Sequence, residues 1–314
     1  MSDPERLVII HNPNSTRARR VGREVFDVLD SAEVKYSPLA TKSPGAEDNI
    51  DDMREFIRDG DRIVVAAGDG TSMQAVNAVV REGHKESVLG FLPFGNFRDL
   101  ASVHPLKTAD LVPSVGDSPL SIETLHPLTL DVNGKYRRDI PSYFTMGWTA
   151  LAASEFGNQK SREKIKSAPE SIKLLSSLWQ LGGNYLAHRG EFLPPFHTSR
   201  SALVQEAVSD VMAVNSPRVG RIVRFPLPFG AMDEFGFRQI NVFSLQEAIP
   251  FGLKALASRA DTELMKDIDI VFESPSDVPI QTEGEFEFLE DVSSLSIRKD
   301  PTRTVKVMSG RVDN

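Results

Sequence analysis

Leu7 to Ile10 is a short, continuously apolar run that ends in His11-Asn12-Pro13-Asn14. This pattern predicts a strand buried on both faces, leaving its sheet at a turn. Arg19 to Leu29 predicts a helix, with Val21, Val25, Val28 and Leu29 at helical spacing. A second strand is expected at Val34 to Tyr36 and a loop at Thr41 to Pro44. Ala46 to Arg58 then carries Ile50, Met53 and Ile57 on one helical face. Arg62 to Ala67 is β-branched and apolar ahead of Gly68-Asp69-Gly70. Thr71 to Arg81 has the composition of a helix, and Val88 to Leu92 that of another buried strand. Strand and helix alternate, which is the signature of a doubly wound α/β domain.

After about Asp117 the texture changes. Leu128 to Val132, Tyr143 to Met146, Ala202 to Val214 and Phe237 to Phe243 predict strands, separated by Asn-Gly and proline-containing turns. Ser161 to Ala187 is the one clearly helical stretch among them. The expected architecture is an α/β N-terminal domain plus a β-rich C-terminal domain, with the boundary placed by composition at 120/121.

Candidate chemistry gathers at the turns of the first half. In Ile63-Val-Val-Ala-Ala-Gly68-Asp69-Gly70-Thr71-Ser72 a buried strand runs into two glycines and opens a helix. Glycine lets backbone amides approach an anion, and the new helix offers unpaired N–H groups and its positive dipole end. Asp69 suits a divalent cation or the orientation of phosphate ligands, and Thr71 a helix cap or a phosphate oxygen. An ordinary capped strand-to-helix turn explains the same residues. Leu92 to Ala101 is a second such turn, with Gly95 and the polar Asn96, Arg98 and Asp99. Asn12 to Thr16 is the first of these turns in chain order, as Leu92 to Ala101 is the third, and is followed by Arg17, Arg19 and Arg20, whose expected place is a solvated face. Turns at the carboxyl ends of neighbouring parallel strands converge on one crevice.

Together these residues resemble the diacylglycerol kinase and sphingosine kinase catalytic family, of the NAD kinase-like superfamily. The family's Asn-Pro-x-Ser/Ala-Gly turn is similar to Asn12-Pro13-Asn14-Ser15-Thr16, and its Gly-Gly-Asp-Gly-Thr signature to Ala67-Gly68-Asp69-Gly70-Thr71, with Asn77 also matching. Its Pro-x-Gly-Thr-x-Asn-Asp-Leu/Phe-Ala segment resembles Pro93 to Ala101, and its Asp-Gly-Glu resembles Glu283-Gly284-Glu285. The resemblance implies that the α/β N-terminal domain is a nucleotide-binding domain, with a β-sandwich as second domain (121–294) and a last segment, about 295–314, returning to the first, with Val305 to Met308 as its strand. It also implies ATP- and Mg2+-dependent phosphorylation of a lipid hydroxyl at a membrane surface. On that basis Asn12, Pro13, Asn14, Ser15, Thr16, Gly68, Asp69, Gly70, Thr71 and Ser72 hold phosphates. Thr41, Gly95 and Asn96 complete the nucleotide site. Glu283, Glu285 and Asp69 form the catalytic centre, with Glu285 the proton acceptor, and Asp233 and Glu234 stand for a metal element. The chain departs from the pattern at Ala67, Asn96, Arg98, Glu283 and Phe235.

Composition narrows the field. Net charge is −8 at pH 7, which disfavours a nucleic-acid binder. The absence of cysteine excludes disulfides, thiolate metal sites and a cysteine nucleophile. No apolar run approaches a membrane span, and Met1 to Asn14 lacks the features of a signal peptide. A cytoplasmic protein, peripheral to the membrane when it meets a lipid, is the expectation, with a homodimer left open. Phosphoryl transfer needs phosphate positioning, a cation and a base. Phe192 to Phe196, Phe225 to Phe229 and the stretch around Trp179 are candidates for a lipid surface, with core the default. His11 is expected to be structural or solvent-facing. Two rivals stand beside the lipid kinase: a kinase acting on a soluble substrate such as NAD, and a catalytically weak nucleotide-binding protein. Without the resemblance, Glu283 and Glu285 read as an exposed acidic turn.

Overall fold

The computed structural model describes residues 6–15, 17–42, 47–95, 98–112, 120–151, 193–205, 208–219, 223–224, 233–240 and 262–310. They form an α/β domain followed by an antiparallel β-rich one. Strands β1 (Leu7–His11), β2 (Ser37–Ala40), β3 (Arg62–Ala66), β4 (Val88–Phe91), β5 (Ser121–Leu125) and the last strand β18 (Val305–Ser309) build the first sheet. Its order is β2-β1-β3-β4-β18-β5, parallel throughout except for β5 against β18.

The alternation along β1 and β3 explains the layers. Val8, Ile10, Ile63 and Val65 pack with Ile50, Met53, Ala75 and Val79 of helices α3 (Glu47–Phe56) and α4 (Asp69–Glu82). Leu7, Ile9 and Val64 face the opposite way, onto Val21, Val25 and Leu29. Those three lie on one helical run made of α1 (Ala18–Val21), a π-helical turn (Gly22–Phe26) and α2 (Asp27–Ser31). Each fully buried side chain of this kind is worth roughly 1.5–3 kcal/mol. Val28 points outward, contrary to the expected face.

Several boundaries move. The second strand begins at Ser37, not Val34; Val34 and Tyr36 instead pack against the face of Leu29 and Phe26. Helix α4 begins at Asp69, two residues before the expected start, and its N-cap is Gly68. Thr71 therefore lies inside the first turn and does not cap it. Ser121 to Leu125 pairs with β18 and belongs to the first sheet, although the change of texture grouped it with the second domain. The chain returns at Val305, since residues 295–299 still pair with β6 (Leu128–Val132) in the second sheet.

That second sheet contains β6, β7 (Lys135–Ile140), β8 (Tyr143–Gly147), β9 (Phe196–Thr198), β10 (Ser201–Gln205) and β11 (Asp210–Val214). It is completed by β14 (Phe235–Ile240), β15 (Glu263–Met265), β16 (Asp267–Thr282) and β17 (Glu285–Lys299), while β12 (Arg218–Val219) and β13 (Val223–Arg224) form a separate ribbon. Register shifts between Val271 and Val278 divide the long β16–β17 hairpin. Its outer half pairs with β9 and β6, and its inner half with β8. Bulges of this kind let one strand pair serve two layers around one core. Phe196, Leu193, Phe144 and Ile280 share that core, so Leu193 and Phe196 are structural. Ser161 to Ala187, Trp179, Phe192 and Phe225 to Phe229 lie outside the described residues.

Candidate active site

The three expected turns meet. A Cβ added to Gly95 would come 3.2 Å from the Gly68 Cα and 2.8 Å from Asp69 Oδ2. Only glycine permits that approach. Asp69 closes it: its Oδ2 accepts the Arg98 N–H (3.0 Å) and its Oδ1 the Asp99 N–H (3.0 Å). It thus supports the start of helix α5 (Asp99–Val103) from another element, where α5 lacks a side-chain cap of its own. Arg17, expected on a solvated face, donates to the carbonyls of Phe94 (2.9 Å) and Gly95. Arg20 stands 5.4 Å from the Phe94 ring. The first turn is therefore bolted to the third.

The first turn is itself ordered by short polar contacts. Asn12 Oδ1 accepts the Asn14 N–H (2.9 Å), and Ser15 N donates to Asn12 O (3.2 Å). Asn14 Nδ2 donates to Lys42 O (3.1 Å), and the Thr41 N–H reaches His11 O (2.9 Å). Thr41 is buried, and its hydroxyl has no partner among the described residues. His11 packs edge-on against Phe26 at 5.1 Å, and burial lowers its pKa, which fits the structural role expected of it. Ala67 keeps a non-left-handed backbone, so the missing first glycine of the signature costs no strain there. Thr16 and Asn96 lie outside the described residues.

The second domain delivers its acidic turn to this place. Glu283 and Gly284, with φ of 51° and 82°, form the two-residue link between β16 and β17. Both left-handed residues are what a type I′ hairpin demands. It is not an exposed turn: Glu283 is only 2% exposed. Its Oε1 accepts the backbone N–H groups of Ser142 and Tyr143 (3.1 Å to the latter), while Oε2 has no partner among the described residues. Burial, with Asp99 and Asp69 nearby, raises its pKa well above the usual carboxylate range. Tyr143 is fully buried beside it, takes a hydrogen bond from Gln281 Nε2 (3.2 Å), and is likewise pushed up by desolvation.

Glu285 lies against helix α4. An added Cβ on Gly70 would fall 1.9 Å from Glu285 Oε1, so this glycine makes room for the carboxylate. Desolvation raises the Glu285 pKa, and Arg138 opposes the shift. Arg138 donates to Thr282 Oγ1 (3.1 Å) and, with Arg137, grips Glu287. A small cleft opens here between α3, α4 and the hairpin, lined by Glu47, Ile50, Met73, Gln74, Asn77, Arg138 and Glu285. Gln74 is 3% exposed and its Oε1 has no partner among the described residues.

Sequence reasoning did not single out Gln74, Arg138 or Tyr143. A polar residue on the buried face of a helix was the available signal for Gln74. Asp233 is not part of this constellation. Its charge acts on Lys299 and His126, and among the described residues no three metal-ligating side chains gather around an ion-sized space. No helix among the described residues is long and apolar enough to cross a membrane.

Comparison with known proteins agrees with the resemblance read from the motifs. Residues 6–116 match the diacylglycerol kinase catalytic domain family model. A diacylglycerol kinase of Staphylococcus carnosus (strain TM300) is 31% identical over 106 residues, 33% of this chain and 34% of the relative. The match thus spans about a third of that relative's length. Two solved structures from Bacillus anthracis str. Sterne, described as diacylglycerol kinases, superpose with TM-scores of 0.65 and 0.63 at 17% and 16% identity. They cover 99% and 98% of this chain and 99% and 97% of their own. At such identity they speak for the fold alone.

Proposed function

We propose that this diacylglycerol kinase-like chain is an ATP-dependent kinase that transfers the γ-phosphate to a lipid hydroxyl. The observation that carries the reading is the meeting of three glycine- and asparagine-bearing turns under an acidic hairpin from the second domain. ATP lays its phosphates along Asn12 to Ser15, Gly68 to Ser72 and Gly95, facing the N-terminus of α4. Thr41 Oγ1 and Gln74 Oε1, both buried and without partners among the described residues, serve the nucleotide's sugar and base, the hydroxyl donating or accepting and the amide oxygen accepting. The acceptor hydroxyl oxygen attacks the γ-phosphorus, the bond to the β–γ bridging oxygen breaks, ADP leaves, and Glu285 receives the hydroxyl proton. Burial suits Glu285 to this task, because a raised pKa makes a carboxylate a better base.

Mg2+ fits the donor set. The Glu283 Oε2 is a hard oxygen, buried and unpartnered among the described residues, with Asp69 and Asp99 adding negative charge nearby. Glu283 Oε2 is the oxygen to hold it together with the nucleotide's phosphates, since both Asp69 oxygens already accept the Arg98 and Asp99 N–H groups, and when bound it would offset charge developing on the phosphoryl oxygens. Asp69 keeps the third turn in place.

A lipid acceptor is favoured by Phe288. It is 52% exposed, three residues from Glu285, and packs edge-on against Phe286 at 5.5 Å. Purified protein with γ-labelled ATP and Mg2+ tests the reading, given vesicles carrying diacylglycerol or a sphingoid base in one arm and NAD in the other. Labelled lipid, lost in Glu285→Gln and Asp69→Ala, is the expected result. Label in NAD alone, or none in either arm, overturns the lipid kinase.

A further inference from the structure

Helix α4 turns a polar stripe toward the second domain: Gly70, Gln74, Asn77 and Arg81, spaced as one helical face. Gly70 receives Glu285, and Arg81 Nη2 donates to Arg137 O (3.1 Å). Between them the Asn77 carboxamide pairs with the main chain of Asp139 on both sides. Asp139 N donates to Asn77 Oδ1 (2.8 Å), and Asn77 Nδ2 donates to Asp139 O (2.7 Å). The Asp139 carboxylate is fully buried and takes two bonds from Arg303 (2.8 and 2.6 Å). The Tyr136 hydroxyl lies 2.8 Å from Asp139 Oδ2, and its ring 4.4 Å from the Arg303 guanidinium. Arg303 sits just ahead of β18. One knot therefore binds α4, β7 and the strand returning to the first domain.

Three residues beyond Asp139, across Pro141, the amides of Ser142 and Tyr143 hold Glu283. Asn215 Nδ2 grips the Pro141 carbonyl in between (2.8 Å). The segment is short and stiffened by proline, so its two ends move together. We propose that Asp139, clamped by Asn77 and Arg303, is a positioning residue: it sets where the Ser142 and Tyr143 amides lie and thereby aims the Glu283-Gly284-Glu285 turn at the nucleotide turns. The proposal rests on the reading of that turn as the reacting one.

Arg303→Ala leaves Asp139 buried without its counter-charge, a strong perturbation. Asp139→Asn removes the charge pairing while keeping the main-chain bonds to Asn77, and serves if Arg303→Ala does not fold. Amide hydrogen exchange and γ-phosphate transfer are measured on both. Exchange at Ser142 and Tyr143 is expected to rise at least about tenfold, while the Arg98 and Asp99 amides held by Asp69 keep their protection. The kcat is expected to fall about 10- to 100-fold with KM for ATP within about twofold, because small misplacements of reacting groups cost that much. Guanidinium ions should restore part of the kcat of Arg303→Ala. Unchanged exchange at Ser142 and Tyr143 in a folded variant overturns the proposal, as does a lowered melting temperature with kcat per folded molecule intact. Should the unaltered protein transfer no phosphate, the kinase reading fails by itself, and exchange alone decides the clamp.

Discussion

Arg98 takes a left-handed backbone, φ 60°, at the position where the resembled pattern has asparagine. A branched-out side chain there costs about 1 kcal/mol, which asparagine or glycine avoids. Arg98 keeps a bond to Gly95 O (3.2 Å) in return. Arg98→Gly is expected to gain about 0.5–1 kcal/mol in urea unfolding, and a loss of stability would show that the Gly95 contact outweighs the strain. Gly70→Ala makes the opposite kind of test. The new Cβ meets only the far end of the Glu285 side chain, so the fold should tolerate it. Its melting temperature is expected to stay close to the parent's while turnover falls by about tenfold or more, read by phosphate transfer. At this scale the sequence was partly legible. The turn glycines stood out by their clustering, and the structure gives the reason at Gly70 and Gly95, where a Cβ has no room, whereas Arg17 looked like any arginine on a helix start until the third turn was seen beneath it.

The parallel strands were legible as elements because their continuous Val/Ile runs report burial on both faces. The β16–β17 hairpin was not, although Asp267 to Phe272 alternates outward and inward without a break. Two prolines and the register shift interrupt the pattern, and the acids around Gly284 suggested solvent. What buries Glu283 is a neighbouring strand end, and no local rule reports that. On β11, Asp210 is buried, with its Oδ1 taking the Thr149 hydroxyl (2.8 Å) and burial raising its pKa to about 8. The folded protein therefore holds a proton that the unfolded chain releases near pH 4. Its cost is absent below that pH, grows as pH rises, and is complete above about 8. Asp210→Asn should remove this dependence, so its stability relative to the parent rises between pH 5 and pH 8.5 by up to about 1.4 kcal/mol per pH unit. Parallel stability curves for the two proteins would contradict the buried acid.

Across the whole molecule, the first domain gathers its turns at one edge of the sheet, the edge proposed to face the phosphates, and the second brings carboxylates to it. The division into an α/β and a β-rich half could be read from alternation, but the seam could not. Asn77, Asp139 and Arg303 are 62 and 164 residues apart in their pairings, beyond any periodicity. A ligand that binds the folded state alone stabilises it by mass action, so ATP at about a hundredfold its Kd should add roughly 2.7 kcal/mol. Thermal unfolding with and without nucleotide checks this, and no shift would speak against a nucleotide site. The most direct measurement is the amide exchange footprint of MgATP on the intact protein. Concerted protection of Asn14–Ser15, Gly70–Ser72 and Gly95 is the result expected of three turns sharing one triphosphate. Protection of one turn alone, or of none, would contradict it.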